Sequence, residues 1–181
     1  MRESIAIDPE RTSRVYEERK GQFERAKARH ILIAFEGSPA AGEDAPTDEE
    51  ARAHAEKLLE RIRGGEDFAA VAQAESDDKG SGARGGELGE FGRGQMVAAF
   101  EEAVFSTEAG EIAPVVKTQF GYHIINVQDR KTLPLESVRE DIETELRQEA
   151  LQQLIESLDE ETEVTFDPEY FGSEEAPTVA E

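Results

Sequence analysis

The sequence predicts an α+β fold, an antiparallel sheet with helices packed around it, and three observations lead there. Two short runs, near 28–35 and 122–128, are apolar and β-branched with a period of two. Other segments repeat their apolar residues every three or four positions, as amphipathic helices do. The order is strand, helices, strand, helix and two strands, rather than the alternation that builds a parallel sheet.

Asp8-Pro9-Glu10 opens a helix-like stretch to about Arg25, with Val15, Tyr16, Arg19 and Phe23 at near-helical spacing. So thinly apolar a helix is marginal alone in water, and it needs either the C-terminal helix of this chain or a neighbour outside it. In the strand from Ala28 to Phe35, His30, Leu32 and Ala34 share one face. Residues 36–46, with Gly37, Pro39, Gly42 and Pro46, have no periodicity and are expected to form a mobile loop. Thr47-Asp48-Glu49-Glu50 has the form of a capping box, and the helix it starts runs through Leu58, Leu59 and Ile62 to Gly64-Gly65. Asp67 can cap a short helix carrying Phe68, Val71 and Ala72.

The segment Gly85-Gly86-Glu87-Leu88-Gly89-Glu90-Phe91-Gly92-Arg93-Gly94-Gln95-Met96 is a shaped loop, because its glycines admit bends that a Cβ opposes. A helix follows from about Val97 to Phe105, with Phe100, Val104 and Phe105 as its apolar face. Thr118 to Gln128 reads as a central strand with His123, Ile125 and Val127 on one face. Glycine loop and histidine strand together have the makings of a binding groove. After Pro134 a long helix runs from Leu135 to about Leu158, and residues 159–181 form an acidic tail expected to be largely disordered. The organisation expected is therefore an N-terminal helical flank 1–27, a domain 28–131, a C-terminal helix 132–158 and the tail 159–181.

Composition bounds the function. With 181 residues there is room for one core of ordinary domain size plus appendages. No run is long and apolar enough for a membrane helix, and the amino end shows neither a basic n-region nor an apolar h-region, so the chain is expected to be soluble. Without cysteine there are no disulfides, no thiol catalysis and no Cys-based zinc site, and the compartment stays open. A formal net charge of −22 repels nucleic-acid phosphates and anionic lipid, and reads first as a solvated acidic surface.

Several motifs compete. Gly80-Ser81-Gly82-Ala83-Arg84-Gly85 matches a dinucleotide-binding pattern but lacks the strand-turn-helix context, so its glycines are read as loop geometry. His30, His54 and His123 do not suggest a metal site, since His54 lies on a polar helix face beside Arg52 and Glu56. No Gly-x-Ser-x-Gly turn supports acyl transfer. His30 and His123 on their own fit a buried pair that hydrogen-bond each other and hold two strands in register.

Five ordered motifs decide further: Ala-Arg-His-Ile-Leu at 28–32, Ser-Asp-Asp at 76–78, Gly-Gly-Glu-Leu-Gly at 85–89, Gly-Gln-Met at 94–96 and Thr-Gln-Phe-Gly-Tyr-His at 118–123. Together they make the chain resemble the parvulin family of peptidyl-prolyl cis-trans isomerases, of the bacterial rotamase and foldase kind, over about Ala28 to Arg130. The resemblance implies a four-stranded antiparallel sheet surrounded by helices, with no cofactor and no metal. It implies a proline pocket of Leu88, Met96 and Phe100, with Phe120 on its wall, and a polar set of His30, Asp78, Thr118 and His123. Asp78 stands where some members carry a cysteine, and a shift of one position would exchange it with Asp77.

The activity so implied is rotation about Xaa–Pro bonds in proline-containing polypeptides, with no nucleic acid and no membrane insertion by this chain. Scattered Lys79, Arg84 and Arg93 argue against a phosphate-reading member. A client-binding module of the same fold with little isomerase activity is the alternative. Residues 16–23 and the long helix resemble junctions of larger foldases, which would place the chain in the bacterial envelope or periplasm as part of a longer protein; a small cytoplasmic isomerase is the other reading.

Overall fold

The structure, a computed structural model, describes residues 7–161, with side chains through 157. The elements are α1 (Pro9–Glu18), a 3-10 turn (Lys20–Phe23), β1 (Glu24–Ile33), α2 (Asp48–Arg63), α3 (Phe68–Glu75), α4 (Lys79–Gly82), β2 (Glu87–Gly92), α5 (Ala98–Ser106), β3 (Val116–Thr118), β4 (Gly121–Thr132) and α6 (Leu135–Glu161). The strands make one antiparallel sheet in the order β2-β1-β4-β3. This is the expected α+β architecture. Two compact units are present: one combines the chain up to Val15 with the chain from Arg139 on, and the other runs from Tyr16 to Val138.

Strand periodicity divides the larger unit into two apolar layers. Ile31, Ile33, Tyr122 and Ile124 face α2 and α3, where Leu58, Leu59, Ile62, Phe68 and Val71 are buried. Ala26, Ala28, Ile125 and Val127 face α5, where they meet Phe91, Phe100, Val104 and Phe105. Burying one such large side chain contributes ~1.5–3 kcal/mol. The helix starts follow the expected chemistry. Thr47 Oγ1 accepts from the Glu50 N–H while the Glu50 carboxylate accepts from the Thr47 N–H, and Asp67 accepts from the Ala70 N–H.

Several boundaries differ from expectation. The first helix stops at Glu18 instead of Arg25, and β1 begins at Glu24, four residues early. Residues 24–27 pair with β4 on one side and residues 25–27 with β2 on the other, and this overrides a helix-favouring composition. The glycines at 80 and 82 belong to the turn of α4 rather than to a loop, and residues 87–92 of the shaped loop form a strand. The loop 36–46 is closed at its ends by the Glu36 N–H donating to Pro46 O at 2.8 Å. Helix α6 carries on through residues 159–161, and the disorder expected of 162–181 falls outside the described residues.

In the smaller unit, Thr12 on α1 and Ile142 and Leu146 on α6 are buried, and Arg11 meets Glu149 at 3.6 Å. The buried apolar residues of α6 thus lie in its first half. Leu151, Leu154 and Ile155 are exposed.

Candidate active site

The two histidines meet because the sheet register puts them on a diagonal. His30 on β1 lies opposite Ile125 on β4, and His123 lies opposite Leu32, so both side chains emerge on the α5 face two residues apart. Their Nδ1 atoms are 3.1 Å apart and their rings nearly parallel at 18°. Phe100 from α5 stands edge-on to both, with ring centroids 5.8 Å from His30 and 5.3 Å from His123.

Each outer ring nitrogen has its own partner. His30 Nε2 is 2.9 Å from Asp78 Oδ2, and His123 Nε2 is 2.8 Å from Thr118 Oγ1. An Nδ1–Nδ1 contact needs one donor and one acceptor. With Asp78 anionic, His30 donates from Nε2 and its Nδ1 accepts. His123 then donates from Nδ1, and the Thr118 hydroxyl donates to His123 Nε2. Thr118 Oγ1 in turn accepts from the Phe120 N–H at 3.1 Å, fixing the turn that carries Phe120.

Burial makes both imidazoles neutral. It lowers the His30 pKa against the opposing pull of Asp78, and it lowers His123 to about 3, helped by the neighbouring His30. Burial alone would raise the Asp78 carboxyl, but hydrogen bonds from Ser81 and His30 outweigh it and bring it down to about 2. The pair His30–Asp78 is a hydrogen bond from a neutral ring to an anion.

Asp77 and Asp78 are told apart by what they bind. Beyond the stretch paired with β2, strand β1 and the residue that follows it present N–H groups that the segment 76–77 satisfies: Ser76 Oγ accepts from Leu32 and Asp77 Oδ2 accepts from Ala34. Asp78 instead caps α4, its Oδ1 accepting from the N–H groups of Gly80 and Ser81. That cap turns the carboxylate toward His30.

Above the histidines lies a cavity of about 270 Å³ lined by His30, Leu88, Gln95, Met96, Val97, Phe100, Phe120 and His123. A bulge aims one wall of it. Ala28 pairs with Gly89 and Arg29 with Glu87, so Leu88 is an extra residue on β2, freed from the ladder to face the pocket. Gly86 permits the approach that this requires: its φ is +82°, and a Cβ there would sit 2.2 Å from His30 O.

All eight expected site residues converge here, in two tiers. Leu88, Met96, Phe100 and Phe120 line the cavity with the two histidines, whereas Asp78 and Thr118 stand behind the rings at opposite ends of the hydrogen-bonded row. Sequence reasoning missed Ser81, Gln95 and Val97. Gln95 Oε1 accepts from the Gly92 N–H at 2.9 Å, which leaves its amide NH2 as the group free to donate at the rim.

A family model for the PPIC-type PPIASE domain matches residues 12–131. The foldase protein PrsA of Caldanaerobacter subterraneus subsp. tengcongensis is 40% identical over 142 residues, covering 78% of this chain and 41% of that protein. The chaperone SurA of Alkalilimnicola ehrlichii is 41% identical over 144 residues, covering 76% of this chain and 32% of that protein. The solved peptidylprolyl isomerase PrsA of Bacillus cereus aligns with a TM-score of 0.57 at 32% identity, covering 86% of this chain and 58% of that one. This chain spans less than half the length of these two curated relatives. The matched segment holds the sheet up to, but not including, the last residue of β4, the cavity and the histidine row, and the chain belongs to the parvulin, or PPIC-type, peptidyl-prolyl isomerase family.

Proposed function

We propose that this chain catalyses cis-trans rotation about Xaa–Pro bonds of polypeptide clients, with the cavity as the proline site. The observation that carries the reading is an apolar pocket laid directly over a row of neutral, fully partnered histidines. Rotation must cross a barrier of ~18–20 kcal/mol set by C–N resonance, and no bond is made or broken. What is needed is tighter binding of the twisted amide than of the planar one.

Leu88, Met96, Phe100 and Phe120 hold the proline ring, so that the acyl side turns against a fixed ring. The planar amide is the more polar form, because conjugation moves charge from nitrogen to oxygen. A site poor in water favours the twisted form, whose nitrogen has regained its lone pair. A Gln95 NH2 at the rim is a donor suited to a client carbonyl or to that nitrogen. The histidines take no proton near neutral pH, since burial lowers the pKa of both, that of His123 to about 3; they act as a rigid polar floor with Asp78 and Thr118 as its end stops. No metal, nucleotide or other cofactor has a part in this scheme.

The clients are proline-containing polypeptides, and the net charge of −22 suits basic ones. The foldase and chaperone names of the relatives support a role in protein folding, and the chain's match to less than half of their length suits our reading of it as part of a larger foldase, which we place in the cell envelope. Exchange measurements of cis and trans populations in a panel of short Xaa-Pro peptides test the activity. Rates equal to the uncatalysed values throughout would refute it. Binding of the peptides without acceleration would assign the chain to the client-binding alternative.

A further inference from the structure

We propose that Ser81 is a positioning residue of this site, clamping the Asp78 carboxylate onto His30; the proposal rests on the isomerase reading for its kinetic consequence and on geometry alone for the clamp itself. Ser81 Oγ donates to Asp78 Oδ2 at 2.5 Å and lies 3.0 Å from His30 Nε2. It is buried, and it does not line the cavity.

A hydroxyl in a helical turn ordinarily bonds back to a carbonyl three or four residues earlier. This protein shows that habit at Thr12, Ser13, Ser106 and Ser157, which meet the carbonyls of Asp8, Pro9, Ala103 and Leu154. Ser81 departs from it and spends its hydroxyl on a carboxylate and on a ring 51 positions away. Its turn is four residues long and reads Lys-Gly-Ser-Gly, a poor helix by propensity. What the turn accomplishes is to hold one serine and one aspartate in fixed relation.

The carboxylate is filled on both sides. Oδ1 accepts from the N–H groups of Gly80 and Ser81, and Oδ2 accepts from the Ser81 hydroxyl and from His30. Two oxygens offer about four lone-pair sites, so Asp78 has no direction left in which to swing. Ser81 is tied to His30 by the backbone as well: its carbonyl accepts from the Gly86 N–H at 2.9 Å, and Gly86 O accepts from the His30 N–H at 2.9 Å. Hydroxyl and backbone thus link the same two residues by separate routes. Without the hydroxyl, Oδ2 keeps only the His30 contact, and the anchor that sets the His30 tautomer, and through it that of His123, loosens.

Ser81→Ala and Ser81→Thr in the full chain test this. For Ser81→Ala we expect a folded protein whose kcat for Xaa-Pro exchange falls ~10-fold, about the worth of one hydrogen bond, with KM unchanged because the pocket wall is intact. The His30 Nε2–H resonance should exchange with water faster and shift, and Ser81→Thr, which keeps a hydroxyl, should restore both readouts. An unmoved His30 resonance in Ser81→Ala, or a rate loss no larger than the unfolded fraction explains, would overturn the proposal. If the unsubstituted chain proves inactive, the isomerase reading fails while the His30 resonance still decides whether Ser81 holds the clamp.

Discussion

Lowering the pH from 7 to 5 should destabilise this protein through its histidine pair. An unfolded histidine titrates near 6.5, whereas folded His123 does so at about 3, so between these values the unfolded chain binds a proton that the native state refuses. The stability that neutral His123 confers is complete above pH 6.5 and is lost as pH falls through the window toward 3. From pH 7 to 5 the loss is about 2 kcal/mol at ~1.4 kcal/mol per pH unit below the unfolded pKa. His30, shifted in the same direction, adds to it. With a urea m-value of ~2 kcal/mol/M the unfolding midpoint should fall by about 1 M. The general charge effect has the opposite sign, since protonating carboxylates on a chain of net charge −22 relieves self-repulsion. Urea melts at both pH values, on the unsubstituted chain and on His123→Gln, separate the two. A change in midpoint between pH 7 and 5 that is the same in the unsubstituted chain and in His123→Gln would refute the reasoning.

Other substitutions probe the same site. Phe100→Ala removes a buried ring that touches both histidines, and should cost ~3–5 kcal/mol of stability and most of the isomerase rate in the fraction still folded; melts and exchange rates taken together check this. Asp78→Asn should lower the rate about ten-fold and push the His30 pKa further down, because the anion that raises it is gone; an NMR titration of His30 reads the shift. Rate loss by several powers of ten at unchanged stability would instead make that carboxylate indispensable to catalysis. Gly86→Ala combines a positive φ with a collision against His30 O and should cost ~3 kcal/mol or more, visible as loss of the cooperative melt.

Much of the fold could be read in the sequence where one physical signal dominated. The Thr47–Glu50 box, the Asp67 cap and the alternation through His123, Ile125 and Val127 each depend on residues close in the chain, and each is present as read. Residues 24–27 misled because Glu, Arg, Ala and Lys favour helices, and only pairing with strands distant in sequence makes them β. Site residues followed the same division. The apolar set and the two histidines stood out by type and spacing, while Ser81 lay hidden among glycines whose role is apparent only once Asp78 caps their turn. A serine three positions after a capping aspartate was the available signal. The bulge that aims Leu88 left no trace in the sequence, since an extra residue is defined only against its partner strand.

The diagonal that joins His30 to His123 has a consequence for how the molecule comes into being. These residues are 93 positions apart, and β1 finds its long partner only when β4 has been made. Helices α2, α3 and α5 can form as they emerge, but the histidine row has to await the last strand of its sheet. Contacts so distant in sequence slow folding, since the chain must close a long loop before any pairing compensates. On the ribosome, at ~5–20 residues per second, His30 would wait several seconds for its partner. The paired histidines are thus a late product of the sheet, absent until residue 123 has been added and β4 has docked on β1.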